Sequence, residues 1–450
     1  MTKVWAEYVE LLRRKVTPAL GCTEPLSVAL ASAQCRSLLG RPPESIDVVV
    51  SPNLYKNGMG VGVPGTGMVG LRVAAAIGAL AGEPDAGLEV LKSVEPRHAE
   101  PARALARKVA VSTRDVADSI YAEVTASAGE DVARVVIAGW HTRVTLRELN
   151  GRRLYRTEEA GSRGAARGRE TPPMTLAAIV DFAARVPLAE IAFMAEAARL
   201  NTALAEEGLS KDYGLRIGAT LAAQMRAGLL ADDLMTRAMS LSAAASDARM
   251  DGAMLPAMSN SGSGNQGIAA TMPVVAAARV LGASEERRTR AVALSHLVAI
   301  YIKSRQNPLS ALCAASTAGM GAGAAIAWLL GGDAEAVARC VQNMIGDVSG
   351  VICDGAKTGC AMKVSTAAAT ATKAALLAIS GVSVTAAEGI VAASADASIE
   401  NLGKLSREGM LETDRQIIAI MMAKESAATG SDEDSRLSRR DGARSGGNMS

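Results

Sequence analysis

The chain has 450 residues, 49% hydrophobic and 21% charged, so it can bury a sizeable core and is not disordered overall. Its 48 Lys and Arg against 46 Asp and Glu leave a net charge of +2, which gives no general pull toward nucleic acid or anionic lipid. Only 2% of residues are aromatic, with Phe182 and Phe193 the sole phenylalanines, so base-stacking platforms are excluded and the core must be Ala, Val, Leu, Ile and Met.

The first segment, MTKVWAEYVELLRRK, reads as a charged amphipathic helix and lacks the apolar run of a signal peptide. Residues 2–40 are expected to be helical with an interruption at Pro18–Pro25. Ile46 to Val50 form a short β run ended by Ser51-Pro52, followed by a glycine-dense loop at 57–67 and an Ala/Gly-rich helix to about Leu80. The β signal returns at 120–126, 132–138 and 141–149, and Asn150-Gly151 turns the last into 152–157, a strong hairpin cue. Residues 45–158 therefore read as a small α+β domain. The segment 159–173 is basic and linker-like. From 174 to 425 the pattern is helical throughout, and the polar tail 426–450 is expected to be disordered. The expected fold is α+β: a mainly all-α C-terminal domain, with N-terminal helices 1–44 packed on it, plus the small inserted domain. The greasy stretches 68–82 and 320–332 are too short or interrupted for the roughly 20 residues that span a bilayer. Six cysteines are too sparse for a secreted disulfide scaffold, so a reducing cytoplasm is expected.

The cysteines carry the strongest chemical signal. Cys35 and Cys340 lie in apolar helical patterns and read as inert buried thiols. Cys313 falls in the first turns of a helix, Cys360 opens another, and Cys353 lies in the loop before it. Helix N-termini stabilise thiolates and anionic centres, so these three can hold a metal or cluster, although a C-x6-C pair is neither a zinc-ribbon nor a ferredoxin pattern. Cys22, in PALGCTEP, sits in a constrained turn that can present a thiol to a cleft as base or nucleophile; a half-buried thiol in a helix connection is the plain alternative.

Two Gly-rich loops can cradle an anion. SNSGSGNQG at 259–267 formally matches the dinucleotide pattern G-x-G-x-x-G, but no clear strand precedes it. A nest of backbone N–H groups suited to a small carboxylate accounts for it better. In the second loop, 53–67, Lys56 and the amides of Asn53 and Asn57 can add substrate contacts. Of the three histidines, His98 and His141 read as surface positions and His296 as a core histidine on the helix leading toward Cys313. No zincin or Ser–His–Asp pattern is present.

Taken together, GCTEP at 21–25, SGSGNQG at 261–267, the lone Cys313 and ICDGAKTGC at 352–360, followed by Met362-Lys363, resemble the L-cysteine desulfidase family, a relative of the iron–sulfur L-serine dehydratase α-chain. The resemblance covers roughly 1–425. It implies a [4Fe–4S] cluster on Cys313, Cys353 and Cys360, with Cys22 as the base. It also implies β-elimination, in which L-cysteine and water give pyruvate, ammonia and sulfide. On that reading Thr23, Glu24, Asn53, Ser261, Gly262, Ser263, Gly264 and Asn265 are the expected substrate contacts. Serine dehydratases use a further cysteine near the C-terminus, whereas this tail has none; that favours the desulfidase-like branch or leaves Cys22 as a temporary fourth ligand. Competing readings are an iron–sulfur L-serine dehydratase, a pyridoxal-phosphate lyase using Lys303 or Lys357, and a metal- or redox-sensing binding module. The expected partner is a small amino acid, with no nucleic acid or membrane, and the Ala-rich helical surface is compatible with a homodimer.

Overall fold

The computed structural model describes residues 2–157 and 172–428. Most of the expected linker at 159–173 and tail at 426–450 lie outside the described residues.

The α+β expectation holds. The β part is one six-stranded sheet built from β1 (Ser45–Val50), β2 (Val109–Thr113), β3 (Tyr121–Ala128), β4 (Asp131–Ala138), β5 (Val144–Leu149) and β6 (Arg152–Arg156), in the order β2-β1-β3-β4-β5-β6. β1 and β2 run parallel, with Val48 opposite Val111, and the other neighbours are antiparallel, with Val48 opposite Val124. Alternation fixes which side is buried: Ile46, Val48 and Val50 point into the core while Ser45 and Asp47 face out. Helices Thr23–Leu39 and Leu71–Ala81 pack against each other and complete this core. Two elements differ from the expected pattern. β2, the short edge sequence VAVST, gave no separate signal, and Pro52–Gly58 forms a helix where a loop was expected. Ser51 starts that helix by accepting from Leu54 N at 3.3 Å, with Pro52 in the first turn.

The helical part contains a second large core. The N-terminal helix Lys3–Lys15 belongs to it, burying Tyr8, Leu11 and Leu12, with Tyr8 edge-on to Phe182 at 5.4 Å between centroids. The helices Leu234–Met250, Gly264–Val280, Glu285–Ser304, Ala314–Leu329 and Cys360–Ile379 pack on one another through Ala- and Gly-rich faces. No helix among the described residues is long and apolar enough to cross a membrane.

Short backbone pairings dock the segment after the first helix onto the helical part. Pro18–Ala19 pairs antiparallel with Ala257–Met258, and Ser261 N donates to Lys15 O at 2.9 Å. These contacts lay the GCTEP turn beside the SGSGNQG loop, although more than 230 residues separate them in sequence.

Candidate active site

One cavity of about 110 Å³ lies between the sheet part and the helical part. Cys22, Glu24, Asn57, Ile120, Trp140 and His141 line it from the sheet side. From the helical side come Arg249, the 261–266 loop, Lys303, the 308–315 segment, Cys353, Cys360 and Lys363. Four helix starts meet there. Cys22 is the N-cap of Thr23–Leu39, Ser263 of Gly264–Val280 and Cys313 of Ala314–Leu329, and Cys360 opens Cys360–Ile379. Their unpaired N–H groups and dipoles give the cavity a positive character that suits an anionic ligand.

Backbone pairing places the three cysteines. Leu312 bridges Ile352; Cys313 N donates to Val351 O at 3.0 Å and Cys353 N to Ala311 O at 2.6 Å, which sets Cys313 and Cys353 on neighbouring strands of chain. A second bridge, Gly60 to Lys357, ties the Cys353–Cys360 loop to the sheet part. Gly355 permits this approach: its φ is +94°, and a Cβ there would lie 2.2 Å from Lys56 O. Burial, and next the neighbouring Cys353, push the Cys313 thiol up; the same causes raise Cys360 to about 11. Such crowding of thiols is relieved when they ligate a metal as thiolates. Among the described residues no three His, Cys, Asp or Glu side chains are placed to hold a single metal ion. Three cysteine thiols lining one cavity are the kind of donor set that suits an iron–sulfur cluster.

The Cys22 thiol is buried beside Val61 and Met250 and donates to Glu24 Oε2 at 3.0 Å. Burial, and next the Glu24 carboxylate, push this thiol well above its usual range. Glu24 also accepts from Thr23 Oγ1 at 3.1 Å and from Asn57 Nδ2 at 3.3 Å.

Three expected contacts do not line the cavity. Thr23 instead donates to Glu24, while Asn53 Nδ2 donates to Leu309 O at 3.2 Å and so ties the helix Pro52–Gly58 to the loop before Cys313. Gly264 has a different role: a Cβ there would lie 2.1 Å from Arg249 Nε, so the glycine makes room for the guanidinium. Ser261, Gly262, Ser263 and Asn265 do line the cavity, with Ser263 Oγ capping its helix by accepting from Gln266 N at 3.3 Å.

The sequence reading missed two residues. Arg249 sits at the end of a helix with no motif around it, yet it is 2% exposed and its Nη2 donates to Gly21 O at 3.0 Å. His141, expected at the surface, is 5% exposed. The loop between β4 and β5 folds it inward, with its carbonyl held by Ser27 Oγ at 2.9 Å. Burial depresses its pKa, which keeps the imidazole neutral. His296 is a satisfied core histidine, with Nδ1 3.0 Å from Asn260 Nδ2 and Nε2 2.9 Å from Thr271 Oγ1. Lys303 lines the cavity, where burial lowers it to about 8, whereas Lys357 lies outside the lining and pairs with Asp354 at 2.5 Å.

Four cavity residues each carry a buried polar atom without a hydrogen-bond partner: Asn57 Oδ1, His141 Nε2, Arg249 Nε and Gln266 Oε1. Buried polar groups are normally paired, so a cluster of orphans around one cavity marks a place where a polar ligand completes the set.

A family model described as the serine dehydratase alpha chain matches residues 85–419. A UPF0597 protein of Aeromonas hydrophila is 61% identical over 426 residues, covering 94% of this chain and 98% of the relative. UPF0597 proteins of Photobacterium profundum and Oleidesulfovibrio alaskensis are 54% and 49% identical, covering 94% and 93% of this chain and 100% and 98% of their own. The chain therefore belongs to the serine dehydratase alpha chain family.

Proposed function

We propose that the chain is an iron–sulfur-dependent lyase that eliminates the β-substituent of a small amino acid, with L-cysteine as substrate. The observation that carries this reading is one cavity lined by Cys313, Cys353 and Cys360 together with four residues that each hold a buried polar atom without a partner. A zwitterionic amino acid suits that lining. Its carboxylate pairs with the Arg249 guanidinium, and its ammonium donates to the oxygens of Asn57 and Gln266.

Cys313, Cys353 and Cys360 would hold a [4Fe–4S] cluster, which when bound supplies a Lewis-acidic iron to the β-substituent and makes it a better leaving group. The rest of the work falls to side chains of this chain. Arg249, Asn57 and Gln266 fix the orientation of Cα, and Cys22 removes its proton. Ile120, Trp140, Leu309 and Leu312 supply apolar walls that limit water. The resulting enamine tautomerises and hydrolyses to pyruvate and ammonia. L-serine is the alternative substrate, favoured by the description of the matching family. A thiolate leaving group suits the soft iron site better.

The test is anaerobic reconstitution, with assays of iron and acid-labile sulfide, followed by sulfide and pyruvate release from L-cysteine and from L-serine. Iron with sulfide release supports the desulfidase reading. Pyruvate from L-serine alone moves the assignment to a dehydratase. Iron with no turnover of either sinks the lyase reading in favour of a binding module.

A further inference from the structure

We propose that Trp140 sets the size limit on the amino acid that the cavity admits, and so is the specificity-determining residue of the site. The inference rests on the proposed use of this cavity as the amino-acid site. Of the residues that line the cavity only Trp140 and Pro308 are exposed, Trp140 at 39%, so the entrance lies at these two. The cavity is small, about 110 Å³, well under the roughly 300–1,000 Å³ of pockets that take drug-sized molecules. Trp140 is the bulkiest lining side chain, and Ile120 and Leu309 extend the same apolar wall.

The indole is held in place from several directions. Gly139 N donates to Ile120 O at 2.9 Å, Arg143 N to Trp140 O at 3.1 Å and Ser27 Oγ to His141 O at 2.9 Å. The main chain is therefore pinned before, at and after Trp140, and Gly139 makes the turn into it with φ +76°. The Lys15 ammonium lies 4.1 Å from the centroid of the Trp140 ring, a cation–π contact that restrains the ring itself. Lys15 O also accepts from Ser261 N at 2.9 Å, so the end of the first helix holds the indole and the 261–266 loop together. A ring free to swing would admit side chains of any length. A restrained one rejects by clash whatever is longer than cysteine.

The test uses two amino acids with no leaving group on Cβ, so that binding is read apart from turnover. L-2-Aminobutyrate has the shape of L-cysteine, and L-norleucine that of S-ethyl-L-cysteine. Titration calorimetry on the anaerobically reconstituted protein should show aminobutyrate binding at least about 100-fold more tightly than norleucine, since one methylene alone is worth roughly 10- to 200-fold. Trp140→Ala is expected to bring that ratio under about tenfold by tightening norleucine. Trp140→Phe, which keeps an aromatic wall, and Lys15→Met, which frees one side of the ring, should fall between. A circular dichroism spectrum checks that each variant is folded. An unchanged ratio in Trp140→Ala, a ratio that falls only through weaker aminobutyrate, or equal binding of both by the wild-type protein would overturn the size limit. A wild-type protein that binds aminobutyrate but releases no pyruvate from L-cysteine or L-serine fails the proposed lyase and leaves the size limit standing. A protein that binds neither amino acid overturns both.

Discussion

Lys56 and Asp414 form a buried ion pair with Nζ and Oδ1 2.5 Å apart and side chains 0% and 12% exposed. They join the short helix Pro52–Gly58, next to the sheet, to the last described helix, Met410–Ala428. Lys56 Nζ also donates to Cys353 O at 3.4 Å, so the pair braces the loop that carries a cysteine of the site. Removing one partner leaves an uncompensated buried charge. Asp414→Asn is therefore expected to destabilise by about 3–5 kcal/mol. The double variant Lys56→Met, Asp414→Leu should regain more than half of that loss. Urea unfolding of the three proteins measures both, and equal stability of single and double variants would show that the charges are not coupled.

Arg249 and Gly264 should behave as one unit. Arg249→Met is expected to lower kcat/KM by about 10- to 100-fold, mainly through KM, matching the ~1.5–3 kcal/mol of a charged hydrogen bond. Gly264→Ala should raise KM in the same direction without unfolding the protein, because the new methyl meets the movable end of the Arg249 side chain. Steady-state kinetics with L-cysteine and L-serine, beside a circular dichroism spectrum, check this. An Arg249→Met enzyme with unaltered KM would remove the guanidinium from substrate binding.

Serine substitution at Cys313, Cys353 or Cys360 should each reduce the iron and acid-labile sulfide retained after anaerobic reconstitution, since serine is a poor ligand for an iron–sulfur cluster. Cys35→Ala is the control. Its thiol is buried, 3.5 Å from Val124 O in the core beneath the sheet, and that variant should keep the wild-type iron content. Equal iron in all four would place the cluster elsewhere.

His296 makes stability depend on pH. Burial lowers its pKa to about 3, while the unfolded chain titrates near the ordinary value of 6.5. The native state thus holds the neutral imidazole. Its contribution is fully present above about pH 6.5 and is lost progressively as pH falls toward 3, because the unfolded chain takes up the proton first. His296→Gln is expected to flatten the decline in stability between pH 6.5 and 4, although it lowers stability at pH 7 by disturbing Asn260 and Thr271. Urea midpoints across that range test it; parallel curves for both proteins would rule the histidine out as the source.

Local pattern by itself determined much of this protein. The alternation of Ile46, Val48 and Val50 and the Asn150-Gly151 turn specified strands, because side-chain period and turn conformation are properties of a few adjacent residues. The long Ala-rich helices followed from periodicity in the same way. The combination of GCTEP, SGSGNQG and ICDGAKTGC pointed to relatives of the serine dehydratase alpha chain, a family now shown by the match over 85–419. These motifs stood out because each combines a helix start with glycines or a thiol, a local requirement that leaves a local trace.

Only the tertiary structure decided which residues meet. Arg249 ends a helix with no motif around it, and its place in the cavity depends on Gly264, a residue on another helix that leaves it space. His141 read as a surface position but is buried. The paired ends of β3 and β4 and the hydroxyl of Ser27 turn it inward. The Pro18–Ala19 pairing with Ala257–Met258 brings the GCTEP turn to the substrate loop, and the Leu312–Ile352 bridge sets Cys313 beside Cys353. Each of these is a contact between segments distant in sequence, fixed by close packing and backbone pairing, and no window of adjacent residues encodes it.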